Sequence, residues 1–236
     1  MIRVFSLKGK RHEQNGQSNQ DVVKSGSNDR FSVITLADGV SACKKARKGA
    51  QIACRATKSL MLGNGEYIAR CSSRDLAWNV VYNVNFELQK QAAKDQTEPE
   101  EYSSTLSSVL YDKRENTLTI FSVGDGIVFG VGKKGFRILA MPSDSREGTC
   151  VTTTRGAFRQ AVARTIERDG VDTVWICSDG AWREMFEYGR MKREVAELIE
   201  NKNFRGLMDL FKKRHSNDDM SFIALDVARM KGGALA

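Results

Sequence analysis

Three apolar, β-rich stretches of this chain each run directly into an Asp-Gly pair. They are FSVITLADG, LTIFSVGDG and TVWICSDG, which end at Gly39, Gly126 and Gly180. Acids also precede the apolar segment in NDDMSFIALD, and Asp21 of NQDVV lies at the start of another. An isolated charge is costly to bury, so carboxylates repeated at the ends of buried strands must be hydrogen-bonded or share a cation. The pattern therefore predicts a metal site built from several carboxylates.

The alternative is that the Asp-Gly pairs are turns, because both residues tolerate positive φ. The pair at Asp125 fits a turn well, since IVFGV follows at once and is typical of a returning strand. The pairs at Asp38 and Asp179 fit less well, because segments with helical spacing follow them. If all three were turns, the acids at Asp21 and in NDDMS would have no explanation.

Length and charge limit the class of protein. With 236 residues the chain is long enough for one substantial domain, which we expect over residues 1–228 with a frayed tail over 229–236. The net charge is +8, and the excess basic residues lie in short groups. No zinc-finger, RNP or GXXG pattern accompanies these groups, so we expect no specific nucleic-acid partner.

The cysteine and apolar content indicates a compartment. The five cysteines include no C-x-x-C pair, and free thiols in this number suit a reducing environment. The first segment, MIRVFSLKGKR, has no apolar core of signal-peptide length, and no stretch is long enough to span a bilayer. We therefore expect a cytoplasmic protein with no membrane partner.

Hydrophobic periodicity divides the chain into strands and helices in an α+β order. Strands are predicted near residues 2–7, 22–24, 31–37, 104–111, 117–123, 127–131, 136–140, 173–177 and 221–227. Helices are predicted at 44–61, 74–94 and 158–167, with two short ones within 190–214. Two antiparallel sheets stacked face to face, with helices outside each, would bury these strands as a four-layer α/β/β/α sandwich. Acids at the strand ends would then meet at one edge of the sandwich.

Several carboxylates with only two histidines in the chain make an oxygen-ligand site. Oxygen ligands suit Mg²⁺ or Mn²⁺ rather than Zn²⁺. Paired ions of this kind lie about 3.5–4 Å apart and activate the water between them near neutral pH. Because cations stabilise the charge of a phosphoryl transition state, a phosphate ester is the natural substrate.

Six short motifs occur along the chain: NQD at 19–21, ADGVSA at 37–42, SST at 103–105, VGDG at 123–126, CSDGAW at 177–182 and DDMS at 218–221. Together they resemble the metal-dependent protein phosphatases of the PP2C type, in particular their compact bacterial branch. The resemblance spans about residues 11 to 226. Each motif alone is weak, but six in this order are specific.

The resemblance implies a centre of two Mn²⁺ or Mg²⁺ ions in the cleft between the sheets. Asp38 would bridge both ions. The carbonyl of Gly39 and the carboxylate of Asp21, the latter through water, would serve one ion, and Asp179 and Asp218 would serve the other. A hydroxide bridging the ions would attack phosphorus. Asp38 and Asp179 would be the catalytic residues, because they would position this metal-bound hydroxide.

The chain departs from the family pattern at the phosphate. Many members have a basic residue just upstream of the first acid motif, where this chain has Gly16. His12 or Arg11 could hold the phosphate instead. The histidine that follows DG in many eukaryotic members is Val40 here, so the leaving group needs another proton source.

A second departure concerns the third ion of the family. Asp125 falls where members bind a weaker third ion, but no arginine follows it. Where the family has an acidic residue directly after SDG-x-W, this chain has Arg183. A third ion is therefore not expected to bind strongly.

These observations predict a phosphatase that hydrolyses phosphoserine and phosphothreonine on proteins. Its partners would be phosphorylated proteins, with a Ser/Thr kinase or the targets of that kinase among them. The alternative is a pseudophosphatase, a phosphoprotein-binding or regulatory module on the same fold. The polar loop at 144–155 is the candidate for a lid over the site.

Overall fold

Two five-stranded antiparallel sheets form the centre of the structure, a computed structural model that describes residues 1–145 and 148–230. The strands are β1 (Ile2–Leu7), β2 (Asp21–Ser27), β3 (Phe31–Asp38), β4 (Leu106–Asp112), β5 (Thr117–Val123), β6 (Ile127–Gly132), β7 (Gly135–Ala140), β8 (Asp144–Ser145), β9 (Gly148–Thr149), β10 (Val162–Glu167), β11 (Val171–Cys177), β12 (Phe186–Glu187), β13 (Arg190–Met191) and β14 (Met220–Asp226). The helices are α1 (Lys10–Gln14), α2 (Ala46–Gly63), α3 (Gly65–Arg70), α4 (Ser73–Asp95), α5 (Asp179–Met185), α6 (Arg193–Glu200) and α7 (Phe204–Arg214), with 3₁₀ turns at Pro99–Tyr102 and Ala157–Arg159.

The strand order is β10-β5-β4-β3-β2 in one sheet and β1-β14-β11-β6-β7 in the other. Apolar side chains from the facing surfaces of both sheets form a central core, which includes Ile34 and Val109 from one sheet and Ile176 and Ile223 from the other. The outer face of the first sheet packs against α2 and α4, and that of the second packs against α5, α6 and α7. The predicted α+β fold, a four-layer sandwich, is confirmed.

Helices α2 and α4 lie on the first sheet because each has one apolar stripe. On α4, Leu76, Val80, Val84 and Leu88 recur every four residues and are fully buried. On α2 the stripe is made of small residues, and at Gly49 an added Cβ would lie 1.9 Å from the carbonyl oxygen of Tyr102. Small side chains therefore let α2 lie close to the segment that leads into β4.

The helix predicted over 158–167 is wrong. The structure has a short 3₁₀ turn, Ala157–Arg159, followed by strand β10, which pairs with β5 along its whole length. The sequence VARTIE is rich in β-branched residues, and an apolar run this short has no decisive period. Pairing with the otherwise open edge of β5 satisfies the backbone, and it overrides the weak helical pattern.

The returning strand expected after Asp125 also needs correction. Strand β6 follows at once, but it lies in the other sheet, between β11 and β7, and does not pair with β5. The GDG segment is therefore a crossover from one sheet to the other. This crossover carries Asp125 along the edge where the two sheets meet.

Two short helices fall in segments for which no helix was predicted: α1 lies in the polar loop before Asp21, and α3 follows α2. Within the predicted lid, β8 pairs with β9, and residues 146 and 147 lie outside the described residues. In the predicted tail, Met230 packs against the central core, while 231–236 lie outside the described residues. Among the helices described, none has the length and apolar character needed to cross a membrane.

Candidate active site

Asp21 and Asp38 occupy opposite positions on β2 and β3, at the end of the strand pair. The loops of the second sheet meet this edge. The hydroxyl of Ser178, just after β11, donates a hydrogen bond to Asp21 Oδ2 at 2.8 Å. The same hydroxyl accepts a hydrogen bond from the backbone N–H of Ser221 at 2.9 Å, which fixes the start of β14 beside β11. The paired ends of β2 and β3, the segment after β11 and the start of β14 therefore meet at one edge of the sandwich.

Asp21 is buried, and its Oδ1 atom has no hydrogen-bond partner. The pKa of Asp21 is raised to about 7, chiefly because burial removes the carboxylate from water and also because the charges of Asp219 and Asp179 lie nearby. The hydrogen bond from Ser178 acts in the opposite direction but is weaker. A buried acceptor without a donor marks a place where a cation would bind favourably.

Asp38 is held by its backbone. The Asp38 N–H donates to Thr105 Oγ1 at 3.0 Å, and the Asp38 carbonyl accepts from the Thr105 N–H at 2.8 Å. Thr105 is the last residue of the SST motif, to which no role was assigned from the sequence. Removal from water raises the pKa of Asp38 well above its usual range, and the charge of Asp21 is the next largest cause.

The same pKa shift identifies the neighbours of Asp38. Charge repulsion from Asp21, Asp179, Asp218 and Asp125, in that order, adds to the effect of burial on Asp38. Because such repulsion falls with distance, these acids lie close enough to Asp38 to affect its ionisation. The structure thus brings the five predicted carboxylates together.

Asp179 and Asp218 are each contacted by an arginine. Asp179 Oδ1 accepts the N–H of Gly180 at 2.7 Å, and Asp179 Oδ2 lies 3.0 Å from Nη1 of Arg183. Asp218 Oδ1 lies 3.3 Å from Nη2 of Arg11. Burial raises the pKa of Asp179 to about 6 even though the Arg183 charge lowers it, because Asp125 and Asp218 both repel.

The two glycines of the site are required by the protein backbone. At Gly39 an added Cβ would lie 2.6 Å from the carbonyl carbon of Ala46, and at Gly180 it would lie 2.3 Å from the carbonyl oxygen of Asp219. Close contact with α2 and with the loop before β14 is a sufficient reason without any metal.

The two candidates for phosphate binding lie in different environments. The Arg11 side chain is 51% exposed, and its Nη2 atom also donates to Ser41 Oγ at 3.1 Å. His12 is buried, with Nδ1 2.8 Å from Asp219 Oδ2 and Nε2 3.3 Å from Ser41 Oγ. Arg11 is thus accessible from solvent, whereas His12 lies beneath it.

Asp219 is a structural acid that sequence analysis did not distinguish from its neighbour. Its Oδ1 accepts the N–H of Gly9 at 2.7 Å, and its Oδ2 accepts the N–H of Gln20 at 2.6 Å. Together with His12, these contacts fasten the segment before β2 to the segment before β14. Of the doubled acid in NDDMS, one side chain joins the carboxylate cluster and the other holds the two segments together.

Asp125 lies on the crossover between the sheets. Its carbonyl accepts the indole N–H of Trp182 at 2.7 Å, and its Oδ2 accepts from Thr149 Oγ1 at 3.3 Å. The first contact fixes the crossover against α5. The charge of Asp125 also raises the pKa of Asp179 and that of Asp38.

A comparison with models of known families matches residues 8–212 to protein phosphatase 2C. The matched region contains most of the chain and all but one of the acid motifs. The chain belongs to the protein phosphatase 2C family. This confirms the resemblance derived from the motifs, and it confirms the assignment to the protein serine/threonine phosphatases at the level of the family.

Several solved structures share the fold of this chain at low sequence identity. The serine/threonine phosphatase Stp1 from Staphylococcus aureus is 17% identical, with a TM-score of 0.65 over 95% of this chain and 94% of that one. The serine/threonine phosphatase of S. agalactiae is 14% identical, with a TM-score of 0.67 over 95% and 98%. RsbX, in a complex with magnesium, is 13% identical, with a TM-score of 0.57 over 94% and 92%. No curated protein sequence matches the chain.

The metal dependence of the protein phosphatase 2C family can be tested against the residues present. Among residues 1–145 and 148–230, no three His, Cys, Asp or Glu side chains are spaced to coordinate one ion together. The donor set nevertheless fits a hard divalent cation, because it consists of carboxylate oxygens, one of which, Asp21 Oδ1, lacks a donor. Carboxylates that repel one another gain most from a shared cation, so the residues fit the group.

Proposed function

We propose that the protein is a metal-dependent phosphatase that hydrolyses phosphoserine and phosphothreonine on other proteins with two Mn²⁺ or Mg²⁺ ions. The observation that carries this proposal is the grouping of acids at one edge of the sandwich, where Asp21 lies opposite Asp38 and Ser178 joins Asp21 to the segment that holds Asp179. A cluster of like charges destabilises the metal-free fold, and strongly raised carboxylate pKa values are typical of functional sites. Binding divalent cations at neutral pH is the function that this donor set suits.

In this proposal each acid keeps the role that the family pattern gives it. Asp38 would contribute to both ions, Asp21 and the carbonyl of Gly39 would hold one, and Asp179 and Asp218 would hold the other. When bound, the ions would attract phosphate oxygens and make water a better nucleophile near neutral pH. Ser178 and Thr105 hold Asp21 and Asp38 in place by the hydrogen bonds described above.

Arg11 is the residue best placed to hold the substrate phosphate. Its guanidinium is half exposed at the cleft and lies next to Asp218. One guanidinium group can donate two parallel hydrogen bonds to two oxygens of a phosphate, which orients the ester. The buried His12 supports this arrangement from below, because its Nε2 contacts the same Ser41 hydroxyl that Arg11 contacts.

The substrates and partners of this function are phosphorylated proteins, and a Ser/Thr kinase or the targets of that kinase are natural candidates. We place the activity in the cytoplasm, where free thiols persist. All five cysteines are free in the structure, in agreement with this placement. Asp125 is a candidate for a weaker third ion.

Hydrolysis of a phosphothreonine peptide, measured by phosphate release, tests the proposal. We expect turnover with millimolar Mn²⁺ and none with excess chelator. A phosphotyrosine peptide of the same sequence serves as the control for substrate class. No phosphate release from either peptide at any Mn²⁺ or Mg²⁺ concentration would contradict the proposal.

A second candidate is the pseudophosphatase, a phosphoprotein-binding module on the same fold. The observation that favours it is that Arg183 and Arg11 form ion pairs with Asp179 and Asp218. Among the described residues, no group of side chains is arranged to hold a metal. Calorimetric titration with Mn²⁺ separates the candidates. Uptake of two ions supports the enzyme, and binding of a phosphopeptide without any uptake of metal supports the module.

A further inference from the structure

Both carboxylate oxygens of Asp179 already have partners in the structure. Oδ1 accepts the backbone N–H of Gly180, and Oδ2 lies 3.0 Å from Nη1 of Arg183. Arg183 follows one turn after Asp179 on α5, so the pair has the spacing of an intrahelical ion pair. A cation that approaches Asp179 Oδ2 therefore competes with the guanidinium for that oxygen and is repelled by its positive charge.

The Arg183 side chain is free to leave. It is 53% exposed, whereas the Asp179 side chain is 8% exposed. The guanidinium lies over the ring of Trp182, 5.7 Å from its centre, and this contact is on the protein surface. Exposed ion pairs contribute little to stability, so displacing Arg183 is inexpensive.

The acids assigned to the other ion differ in this respect. In the part of the chain that the structure describes, Asp21 and Asp38 form no ion pair with a basic side chain. Asp218, like Asp179, has an arginine beside it, since Nη2 of Arg11 lies 3.3 Å from Oδ1. One half of the proposed centre is thus neutralised by the protein itself, and the other half is not.

We propose that Arg183 is a built-in counter-ion that competes with the divalent cation for Asp179. The proposal rests on the two-ion function above and adds an order of binding. The ion held by Asp21 and Asp38 binds first and more tightly. The ion held by Asp179 and Asp218 binds second, after Arg183 has left the carboxylate. Arg183 is therefore a positioning residue that sets the affinity of the second ion.

The order follows from the charges. Asp21 and Asp38 lie directly opposite each other on neighbouring strands, and among the described residues no basic side chain pairs with either, so a divalent ion there meets two carboxylates without a counter-ion. At Asp179 the same ion replaces an attraction that already exists, and it is repelled by the positive charge that it displaces. The free energy gained when the second ion binds is therefore smaller than that gained from the first ion. The difference comes from the lost attraction between Arg183 and Asp179 and from the repulsion by Arg183.

Calorimetric titration with Mn²⁺ tests this on the wild-type chain, Arg183→Ala, Arg183→Lys and Arg193→Ala. Arg193 is the matched control because it forms an exposed pair with Glu197 at the same helical spacing, on α6. We expect two affinities in the wild type. Arg183→Ala should tighten the weaker site by more than about twofold and up to about 5-fold, the upper part of the range that an exposed ion pair sets. Arg183→Lys and Arg193→Ala should keep both affinities within about twofold of the wild type.

Nuclear magnetic resonance of the guanidinium ¹⁵Nε groups during a Mg²⁺ titration gives a readout that does not depend on activity. The Arg183 signal, identified by its loss in Arg183→Lys, should stay in place during the first equivalent of Mg²⁺ and shift during the second. The titrated chain is the wild type, and only the assignment of the signal uses Arg183→Lys, a conservative change at an exposed side chain. An Arg183 signal that shifts with the first equivalent contradicts the order of binding.

The calorimetric outcomes distinguish this proposal from the function on which it rests. Two sites in the wild type with no tightening in Arg183→Ala would overturn the role of Arg183 and leave the two-ion function intact. A second site that exists only in Arg183→Ala would support the role of Arg183 and favour the pseudophosphatase. No Mn²⁺ binding by any of the four proteins would overturn both.

Discussion

Asp21 lies directly opposite Asp38 on neighbouring antiparallel strands, at the edge where the two sheets meet. Like charges placed directly opposite on a strand pair are destabilising, and burial raises the pKa values of both carboxyls. The arrangement is thus unfavourable for the metal-free fold and favourable for a cation. A change that removes one of these charges should therefore stabilise the metal-free fold and weaken metal binding.

Replacing Asp38 with asparagine should move activity and stability in opposite directions. The amide cannot supply the charge shared by two ions, so phosphate release with Mn²⁺ should fall at least about a hundredfold. Without metal, the variant should melt at a higher temperature than the wild type at about pH 8, because one of the repelling charges is gone. Phosphate release and thermal melting in chelator check the two parts.

The control for this variant is Asp29→Asn. Asp29 is an exposed acid in the turn between β2 and β3, on the same strand pair but at the opposite end from Asp38. It should leave activity and melting temperature close to the wild-type values. Equal loss of activity in both variants would mean that Asp38 has no special role.

The stability of the metal-free protein should fall as the pH rises from about 5 to about 8. The folded pKa values of Asp21 and Asp179 are raised from 3.8 to about 7 and to about 6. The folded chain therefore holds more protons than the unfolded chain over this interval. The stabilisation present below the unfolded pKa is lost as the pH passes the folded values. Melting in chelator across this range should show the decline, which amounts to several degrees.

Two further measurements make this prediction specific. The variant Asp21→Asn should show a shallower decline, because the group with the pKa of about 7 is absent. Saturating Mn²⁺ should also reduce the decline, since a bound cation favours the deprotonated carboxylates. A melting temperature in chelator that stays constant or rises over the same interval would contradict the assigned ionisation.

Removing the hydroxyl of Ser178 should weaken both the fold and the metal site. Ser178 Oγ donates to Asp21 and accepts from the Ser221 N–H, and it is buried. Ser178→Ala should lower the free energy of unfolding by about 1–3 kcal/mol and weaken Mn²⁺ binding by about tenfold. Chemical denaturation and calorimetry measure the two effects.

The matched control removes a hydroxyl that holds only the sheet. Thr119 Oγ1 lies 3.0 Å from Thr165 Oγ1, between β5 and β10, and Thr119 is buried. Thr119→Val should lower stability but leave Mn²⁺ binding unchanged. If both variants bind Mn²⁺ equally well, the hydrogen bond from Ser178 does not support the site.

A methyl group at position 180 should disturb the acid cluster from within. The Cβ of Gly180→Ala would lie 2.3 Å from the carbonyl oxygen of Asp219, so the loop that carries Asp218 must move. We expect a loss of about 1–3 kcal/mol of stability and a weaker second Mn²⁺ site. Gly63→Ala on α2 is the control, because its Cβ would meet no atom within 4 Å. Wild-type stability and metal binding in Gly180→Ala would show that the loop is not tightly fitted.

The sequence was sufficient where patterns were long or tied to chemistry. The apolar stripe of α4 and the runs ending at Asp38 and Cys177 predicted their elements closely, because burial fixes their period. Strand β10 was missed because its pairing with β5 is non-local and its short sequence has no decisive period. No pattern shows that a crossover joins β5 to β6, because which sheet a strand joins depends on the packing of the other strands.

At the site, the acids could be found from the sequence but their supporting contacts could not. Ser178 and Thr105 stand within the quoted motifs, yet nothing in the motifs says that one hydrogen-bonds Asp21 and the other the backbone of Asp38. Asp218 and Asp219 are adjacent and identical, and only the fold gives them different roles. The arginine pairs likewise depend on side-chain positions that the fold creates.

The most direct test of the account is a crystal of the protein grown with Mn²⁺ and measured at the manganese absorption edge. The account predicts two anomalous peaks between the sheets, in contact with Asp38 and with the carboxylates of Asp21 on one side and Asp179 on the other. A map without peaks at these carboxylates, from a crystal in which the protein is otherwise well ordered, would contradict it.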